Sequence, residues 1–276
     1  MPSSSEHHDV TIVIPCFNYG GFLGEALDSL RAQEGGSPQI IVVDDGSSEP
    51  ETQEALAALP DDVLVLGQDN AGPSAARNAG FRAAQTPFVM ALDADDMLPP
   101  GALRALKRGF AADATAGYAY GVMRFFGDWS GELRMPRWDP YRLLYRHTIG
   151  VSALTRRDLL EDVGGFDPHI SGFEDWELWL HALANGWHGV QVPEVTVLYR
   201  RHGTTNFSDA RPNYRRWYRA IRAKHRQLYG RRRELAHQSE LGPLGRAVYR
   251  FYWGPRPIPA ALEARVYNLL WGRGGE

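Results

Sequence analysis

The chain reads as an α/β protein: a mostly parallel sheet with helices on both faces, followed by a basic α-helical extension. Apolar, β-branched runs alternate with segments of helical spacing through residues 10–92. Short polar connections join them, as expected of parallel strands linked by crossover helices. Carboxylates gather just past the strand ends, where ligands of such sheets bind.

Each element follows from local pattern. Val10, Thr11, Ile12, Val13 and Ile14 form a β-branched run bounded by Pro15, which predicts a buried strand over 10–14. Phe22, Leu23, Ala26, Leu27 and Leu30 then fall on one helical face, with Asp28 and Arg31 on the other. Strands over 40–43, 63–66 and 88–92 alternate with helices over 51–59 and 74–84. From Gly117 the alternation loosens. Strands over 118–126 and 132–135 flank a turn, a short helix covers 140–146, and a strand over 150–154 leads into a helix over 156–163. Gly164 and Gly165 close that helix. In the next, over 174–183, Trp176, Trp179, Leu180 and Leu183 make an apolar stripe, so Glu174 and Asp175 stand in the opening turn of a core helix. The two tryptophans read as core, not as platforms for a ligand. A last strand covers 195–200, and Arg-rich amphipathic helices follow residue 211. The organisation expected is a body over 1–210, with halves at about 10–98 and 99–210, and an extension over 211–276.

Composition excludes several classes. The 276 residues are 43% hydrophobic and 23% charged, as in soluble globular chains rather than disordered or fibrous ones. No run reaches the roughly 18–20 apolar residues of a membrane span, and the N-terminal residues lack the pattern of a signal peptide. One cysteine, Cys16, allows no internal disulfide. These features point to a cytoplasmic protein. The net charge of −3 conceals an asymmetry: residues 211–276 hold 15 of the 30 Lys and Arg against four acids, a local +11, which leaves −14 on residues 1–210. An acidic body suits a cation and a basic tail suits an anionic surface. The tail also carries aromatic segments over 248–253 and 266–271. A peripheral place on the inner face of the cell membrane, packing on the body, and a homo-oligomer contact all stay open for it.

The strand-end rule selects candidate site residues. After the first strand come Pro15, Cys16, Phe17 and Asn18; after the second, Asp44, Asp45, Gly46 and Ser47; after the fourth, Asp93, Ala94, Asp95 and Asp96. Carboxylates converging on one edge repel unless a cation or hydrogen bonds offset them. Asp oxygens suit Mg²⁺ or Mn²⁺, and a single cysteine excludes a thiolate zinc site. No Gly-x-Gly-x-x-Gly follows the first strand and neither Lys107 nor Lys224 lies in a P-loop. Asn70, Gly72 and Arg77 supply instead a tight turn, a helix start and a cation. Arg77 serves either to brace the acidic loops or to contact phosphate.

Seven short motifs, in order, carry a resemblance: Val13-Ile-Pro-Cys-Phe-Asn18, Val42-Val-Asp-Asp-Gly-Ser47, Asn70-Ala-Gly-Pro-Ser-Ala-Ala-Arg-Asn78, Leu92-Asp-Ala-Asp-Asp96, Val163-Gly-Gly-Phe-Asp167, Phe173-Glu-Asp-Trp-Glu177 and Tyr199-Arg-Arg-His202. Over roughly residues 10–210 the chain resembles the family 2 glycosyltransferases, inverting enzymes with a GT-A fold. The resemblance implies a nucleotide-sugar donor, a divalent metal (Mn²⁺ or Mg²⁺), and no nucleic-acid partner. It implies that Pro15 and Phe17 line the base pocket, with Asn18, Asn70, Gly72, Arg77 and Ala94 around the donor. Asp45 would bond the base, Asp93 would lie near the ribose or sugar, and Asp95 would ligate the metal. His202 would be a metal or diphosphate ligand, and Asp175 the catalytic base with Glu174 as the alternative. A base on the face opposite the departing diphosphate is what a single displacement needs, and a helix's opening turn keeps a carboxylate ionised by about 0.3–1 kcal/mol.

The activity expected is transfer of one sugar to the hydroxyl of a glycan or lipid-linked acceptor in polysaccharide, glycolipid or cell-envelope glycan synthesis. Uridine or thymidine is favoured as the donor base, because Asp45 would suit a pyrimidine N3–H. Processive members carry Gln-x-x-Arg-Trp, of which Asn213-Tyr-Arg-Arg-Trp217 is a partial echo. Asn206 and Ser208 fit the family's habit without an assigned role. The rival readings are a sugar-phosphate nucleotidyltransferase, which would want a Gly-rich basic loop after the first strand, and a non-catalytic nucleotide-binding or membrane-associated scaffold.

Overall fold

A computed structural model describes residues 7–170, 172–202 and 213–255. Asn206, Ser208 and the aromatic segment 266–271 lie outside the described residues. The first half follows the alternation: β1 (Val10–Cys16), α1 (Gly20–Arg31), β2 (Gln39–Asp44), α2 (Pro50–Ala57), β3 (Val63–Gly67), α3 (Pro73–Ala83) and β4 (Phe88–Ala91). Pro50 and Pro73 open their helices at positions where a missing N–H is harmless. Strands β3, β2, β1 and β4 lie side by side and parallel. The carboxyl ends of β1, β2 and β4 therefore meet on one edge, and so do the loops that follow them.

The second half departs from expectation in detail. A helix, α4 (Ala102–Ala112), fills a stretch to which no element was assigned. Its signal is present in the sequence, since Leu103, Leu106 and Phe110 recur at helical spacing and are all buried. Then come β5 (Tyr118–Gly127), β6 (Gly131–Leu133), α5 (Pro140–Leu143), β7 (Leu154–Arg156), α6 (Arg157–Val163), α7 (Glu174–Ala184) and β8 (Gly189–Arg201). The strand expected over 150–154 begins only at Leu154, because a tight turn, Ala153 N–H to Val151 O at 3.0 Å, bends the chain just before it. Strand β7 runs antiparallel to both β4 and β5, while β8 pairs parallel with β5. The sheet is parallel from β3 to β4 and mixed beyond β4. Strand β8 is longer than the expected 195–200, with register shifts that pure periodicity does not announce.

Two apolar clusters cover the two faces. Val10, Ile12 and Ile14 pack with Leu23, Leu27 and Leu30 of α1 and with Leu103 and Leu106 of α4. Val13 packs on the opposite side, in a cluster with Leu159, Trp176 and Trp179, as the two-residue period of a strand requires. Both tryptophans are wholly buried.

The basic extension begins in this second cluster. Helices α8 (Tyr214–Lys224), α9 (Arg226–Gly230) and α10 (Arg232–His237) follow, then α11 (Pro243–Val248) and a π-helical turn over Tyr249–Trp253. Tyr214 and Tyr218 stack on the Trp176 ring, each with centroids 6.0 Å apart. Glu177, on α7, is buried and its Oε1 accepts from Lys224 Nζ at 2.8 Å and His225 Nε2 at 2.7 Å. Lys224 also reaches Asp167 at 2.6 Å. Leu244, Val248 and Phe251 stand exposed on α11 and the following turn.

The Glu177 clasp gives stability a pH dependence. Burial alone would raise this carboxyl, but the hydrogen bonds from His225 and Lys224 and their charge hold it below its ordinary 4.5. A lowered folded-state value contributes stability that is present above pH 4.5 and lost as pH falls through that lowered value. Acid unfolding followed by tryptophan fluorescence will therefore be shallower below pH 4.5 in Glu177→Gln, which starts from a lower stability at pH 7.

Candidate active site

The β1–α1 and β2–α2 loops are clasped by Asn18. It is the one non-glycine with positive φ among the described residues, at 56°, a conformation Asn tolerates better than most side chains. Its Oδ1 accepts from Ser48 N–H at 2.9 Å and Glu49 N–H at 3.1 Å, and its own N–H donates to Ser47 Oγ at 3.1 Å. Asp44 Oδ1 accepts from Ser47 N–H at 2.9 Å, folding the Asp-Gly-Ser segment into a turn. Gly46 sits there at φ +74°, and a Cβ on it would lie 2.9 Å from Asn70 N, so only glycine lets this turn meet the third loop. Pro15 is half-buried and Phe17 exposed on the rim.

Asp45 organises the third loop. It is buried, and Oδ1 accepts from Gln68 Nε2 at 2.7 Å and Ala71 N–H at 2.9 Å while Oδ2 accepts from Gly72 N–H at 2.8 Å. One oxygen, Oδ2, has a single protein donor and keeps a lone-pair direction. Gly72 at φ +87° turns the chain into α3, and Asn70 is exposed beside it.

Arg77 on α3 joins the two halves. Its guanidinium donates to Asp93 Oδ1 at 2.6 Å and to Glu174 Oε1 at 3.1 Å, with its side chain only 4% exposed. Burial would lower its affinity for a proton, and the two carboxylates raise it above the ordinary arginine value. These two ion pairs are the contacts of a brace between the acidic loop and α7. The next residue, Asn78, pairs its amide with Phe166: Nδ2 donates to the Phe166 carbonyl and Oδ1 accepts from its N–H, both at 2.8 Å. A Cβ at Gly165 would collide with that amide, which accounts for the glycine at this position. Sequence gave no separate signal for Asn78 beyond its place in the motif.

The acidic loop after β4 is compensated from β8. Asp95 Oδ2 lies 2.8 Å from His202 Nε2. Burial pushes the Asp95 carboxyl up despite that hydrogen bond, and burial with the charges of Asp93 and Asp95 pushes the neighbouring Asp96 well above the usual range. Ala94 between them is buried. Arg200, given no role by sequence reasoning, donates its backbone N–H to Asp96 Oδ1 at 2.9 Å and Nε–H to the Asp95 carbonyl at 2.8 Å. Its guanidinium lies over Phe22 and Phe126 and reaches Glu25.

At the opening of α7, Asp175 Oδ1 accepts from Trp176 N–H, and Oδ2 is 2.8 Å from His147 Nε2. His147 was missed, since a histidine in a loop carries no pattern. Glu174, the other candidate, is engaged by Arg77 through Oε1, and its Oε2 has no hydrogen-bond partner among the described residues.

No cluster of three or more His, Cys, Asp or Glu side chains suited to a metal occurs among the described residues. Asp95 Oδ2 and His202 Nε2 lie 2.8 Å apart, two ligand-type atoms side by side. A carboxylate oxygen and an imidazole nitrogen are donor types that a divalent ion accepts.

The glycosyl transferase family 2 profile matches residues 11–172, and the chain belongs to this family. It is 31% identical over 217 residues to the succinoglycan biosynthesis protein ExoO of Rhizobium meliloti, covering 72% of this chain and 62% of that one. It is 31% identical over 193 residues to the pre-mycofactocin glycosyltransferase of Mycobacterium tuberculosis, covering 64% of this chain and 39% of that protein. The chain thus spans less than two thirds of either relative. The fold is similar to residues 1–349 of Staphylococcus aureus TarS in complex with UDP-GlcNAc, at TM-score 0.65 and 17% identity over 86% of this chain and 69% of that one. It is also similar to the mannosyltransferase PcManGT of Pyrobaculum calidifontis in complex with GDP-Man and Mn²⁺, at TM-score 0.57 and 21% identity over 97% of this chain and 76% of that one. The α/β architecture is the GT-A type.

Removing the Arg77 cation would leave Asp93 and Glu174 facing each other. Arg77→Ala should lose about 3 kcal/mol, the low end for breaking a buried pair because Asp93 is partly exposed. Arg77→Lys, which keeps charge without the fork, should lose less; urea denaturation measures both.

Proposed function

We propose that the chain moves one sugar from a nucleoside-diphosphate sugar to an acceptor hydroxyl, with inversion and with Asp175 as the base. The observation that carries this reading is the Arg77 bridge. One guanidinium ties Asp93, on the donor-side loop, to Glu174, the residue beside Asp175. The opening turn that carries Asp175 is thereby tied to the acidic loop, and a base held near the donor is what a single displacement needs. In this reading Asp175 is the base, and Glu174, paired with Arg77, carries the bridge.

In this reading Phe17 and Pro15 pack on the nucleobase, and Asp45 Oδ2 accepts from its N3–H, which favours uridine or thymidine. Asn18, Asn70, Gly72 and Ala94 shape the loops around the donor, and Asp93 receives a ribose or sugar hydroxyl. Asp95 and His202 would hold Mn²⁺ or Mg²⁺, which when bound would offset the charge of the diphosphate. Asp175 takes the acceptor proton. Nucleotide sugars bound by the TarS and PcManGT structures support a nucleotide-sugar donor, and the succinoglycan relative supports a glycan or lipid-linked acceptor in polysaccharide or envelope synthesis.

Calorimetry with UDP, dTDP and GDP, with Mn²⁺ or EDTA, tests the donor site. One nucleotide should bind in a metal-dependent way, and Asp95→Asn should abolish that dependence. Asp175→Asn should keep nucleotide affinity while kcat falls by about 10²–10⁴-fold. Failure of all three nucleotides with a folded wild type would remove the reading's main support.

No described helix is long and apolar enough to cross a membrane. The reading extends to a membrane-borne acceptor through the tail, whose +11 charge accompanies Leu244, Val248 and Phe251, the first and last 79% and 64% exposed. Sedimentation with phosphatidylglycerol vesicles should weaken at least about tenfold when Leu244 and Phe251 are changed to Glu, each worth roughly 1.5–3 kcal/mol when buried. Undiminished binding would exclude this face.

A further inference from the structure

The opening turn of α7 holds a contact that the reaction above does not use. His147 lies in the connection between α5 and β7. Its Nε2 is 2.8 Å from Asp175 Oδ2 and 3.1 Å from the Ile149 carbonyl oxygen. A carbonyl only accepts, so Nε2 carries the hydrogen and donates to both oxygens. On the other side, Asp175 Oδ1 accepts from the Trp176 N–H at 2.8 Å. The carboxylate is held at both ends, and each oxygen keeps a second lone-pair direction.

We propose that His147 is the positioning residue of the acceptor base: its Nε2–H fixes the Asp175 carboxylate in one orientation, ionised, and leaves its remaining lone pairs to the acceptor hydroxyl. This rests on reading Asp175 as the base. Because Nε2 already bears a hydrogen, the imidazole does not receive the proton that Asp175 abstracts. That proton passes from the hydroxyl oxygen to the carboxylate, the oxygen's electron pair forms the bond to the anomeric carbon, and the bond to the diphosphate oxygen breaks with its own pair. His147 keeps its proton throughout.

The imidazole is held in place by the core beneath it. Trp176 Nε1–H donates to the Leu143 carbonyl at 2.6 Å, and Trp179 Nε1–H donates to the Ile149 carbonyl at 3.2 Å. These two indoles pin the chain on both sides of His147 to the helix that carries Asp175. The His147 ring meets Phe173 edge-on at 6.1 Å. The charges facing it are Asp175 and Glu174, both on α7, with Arg77 behind Glu174. Burial would lower its pKa; the Asp175 carboxylate, the Ile149 carbonyl and Glu174 together raise it above the ordinary histidine value.

The test uses the full chain as His147→Ala, His147→Gln and Asp175→Asn, read by nucleotide release from a panel of UDP- and dTDP-sugars and by ¹⁵N NMR of labelled histidine. His147→Ala should lower kcat roughly 10- to 100-fold, as loss of orientation does, with UDP affinity unchanged. His147→Gln, which restores an N–H at similar reach, should recover most of the loss. A purely structural role would lower the melting temperature without this split and without rescue. In the NMR arm, neutral His147 should carry its hydrogen on Nε2, and Asp175→Asn should lower its pKa. An inactive Asp175→Asn beside a His147→Ala of wild-type kcat overturns the positioning role alone. Wild-type kcat in Asp175→Asn overturns the base reading itself. An Nδ1–H tautomer, or a titration that Asp175→Asn leaves unmoved, overturns the proposal whether or not any sugar of the panel turns over. Where His147→Ala does not fold, His147→Gln against the shorter His147→Asn decides the kinetic arm.

Discussion

The Arg77 guanidinium, buried between Asp93 and Glu174, is the interaction on which the site depends. A cation taken out of water is stabilised only by partners held close to it, and here they come from opposite halves of the chain. Asp93 follows the last strand of the parallel half, whereas Glu174 opens a helix of the mixed half. The planar fork of arginine meets both carboxylates at once, which a lysine ammonium does less well. The electrostatic need of one side chain therefore sets the approach of the two halves, and with it the place of Asp175.

A second layer of the same logic surrounds the acidic loop. Asp93, Asp95 and Asp96 fall within four positions, and each is met by a group from elsewhere: Arg77, His202 and the Arg200 backbone. Arg200 does this from a long strand and is itself flanked by Phe22 and Phe126. The aromatic rings keep its guanidinium from the water that would otherwise compete for it. Asn18 and Asp45 act comparably among the first three loops, trading side-chain oxygens for backbone N–H groups that no strand or helix satisfies.

Much of this was legible in the residues. The alternation of β1 to β4 with their helices, the loops past the strand ends, and the placing of Glu174 and Asp175 on a core helix all follow from spacing, because their determinants are local. What was not legible depends on partners far along the chain. His147 meets Asp175 across 28 residues, Asn78 meets Phe166 across 88, and Arg200 meets Asp96 across 104. No periodicity encodes such pairs. The start of β7 was displaced by a tight turn before Leu154, and the docking of α8 on Trp176 was hidden because amphipathic spacing names a buried face without naming its cover. Helix α4 is different: Leu103, Leu106 and Phe110 announce it by local spacing alone.

Glu177 bears on how such chains can diversify. It lies two positions beyond Asp175 on the same helix, and among the described residues its buried carboxylate is neutralised from the basic extension, by Lys224 and His225. The extension is consequently not a module that recombination can exchange at the end of β8. A chimaera joining this body to a foreign tail must bring a cation to the same spot or replace the carboxylate with an apolar side chain. Lineages that vary this appendage are thus constrained to change α7 in step with it.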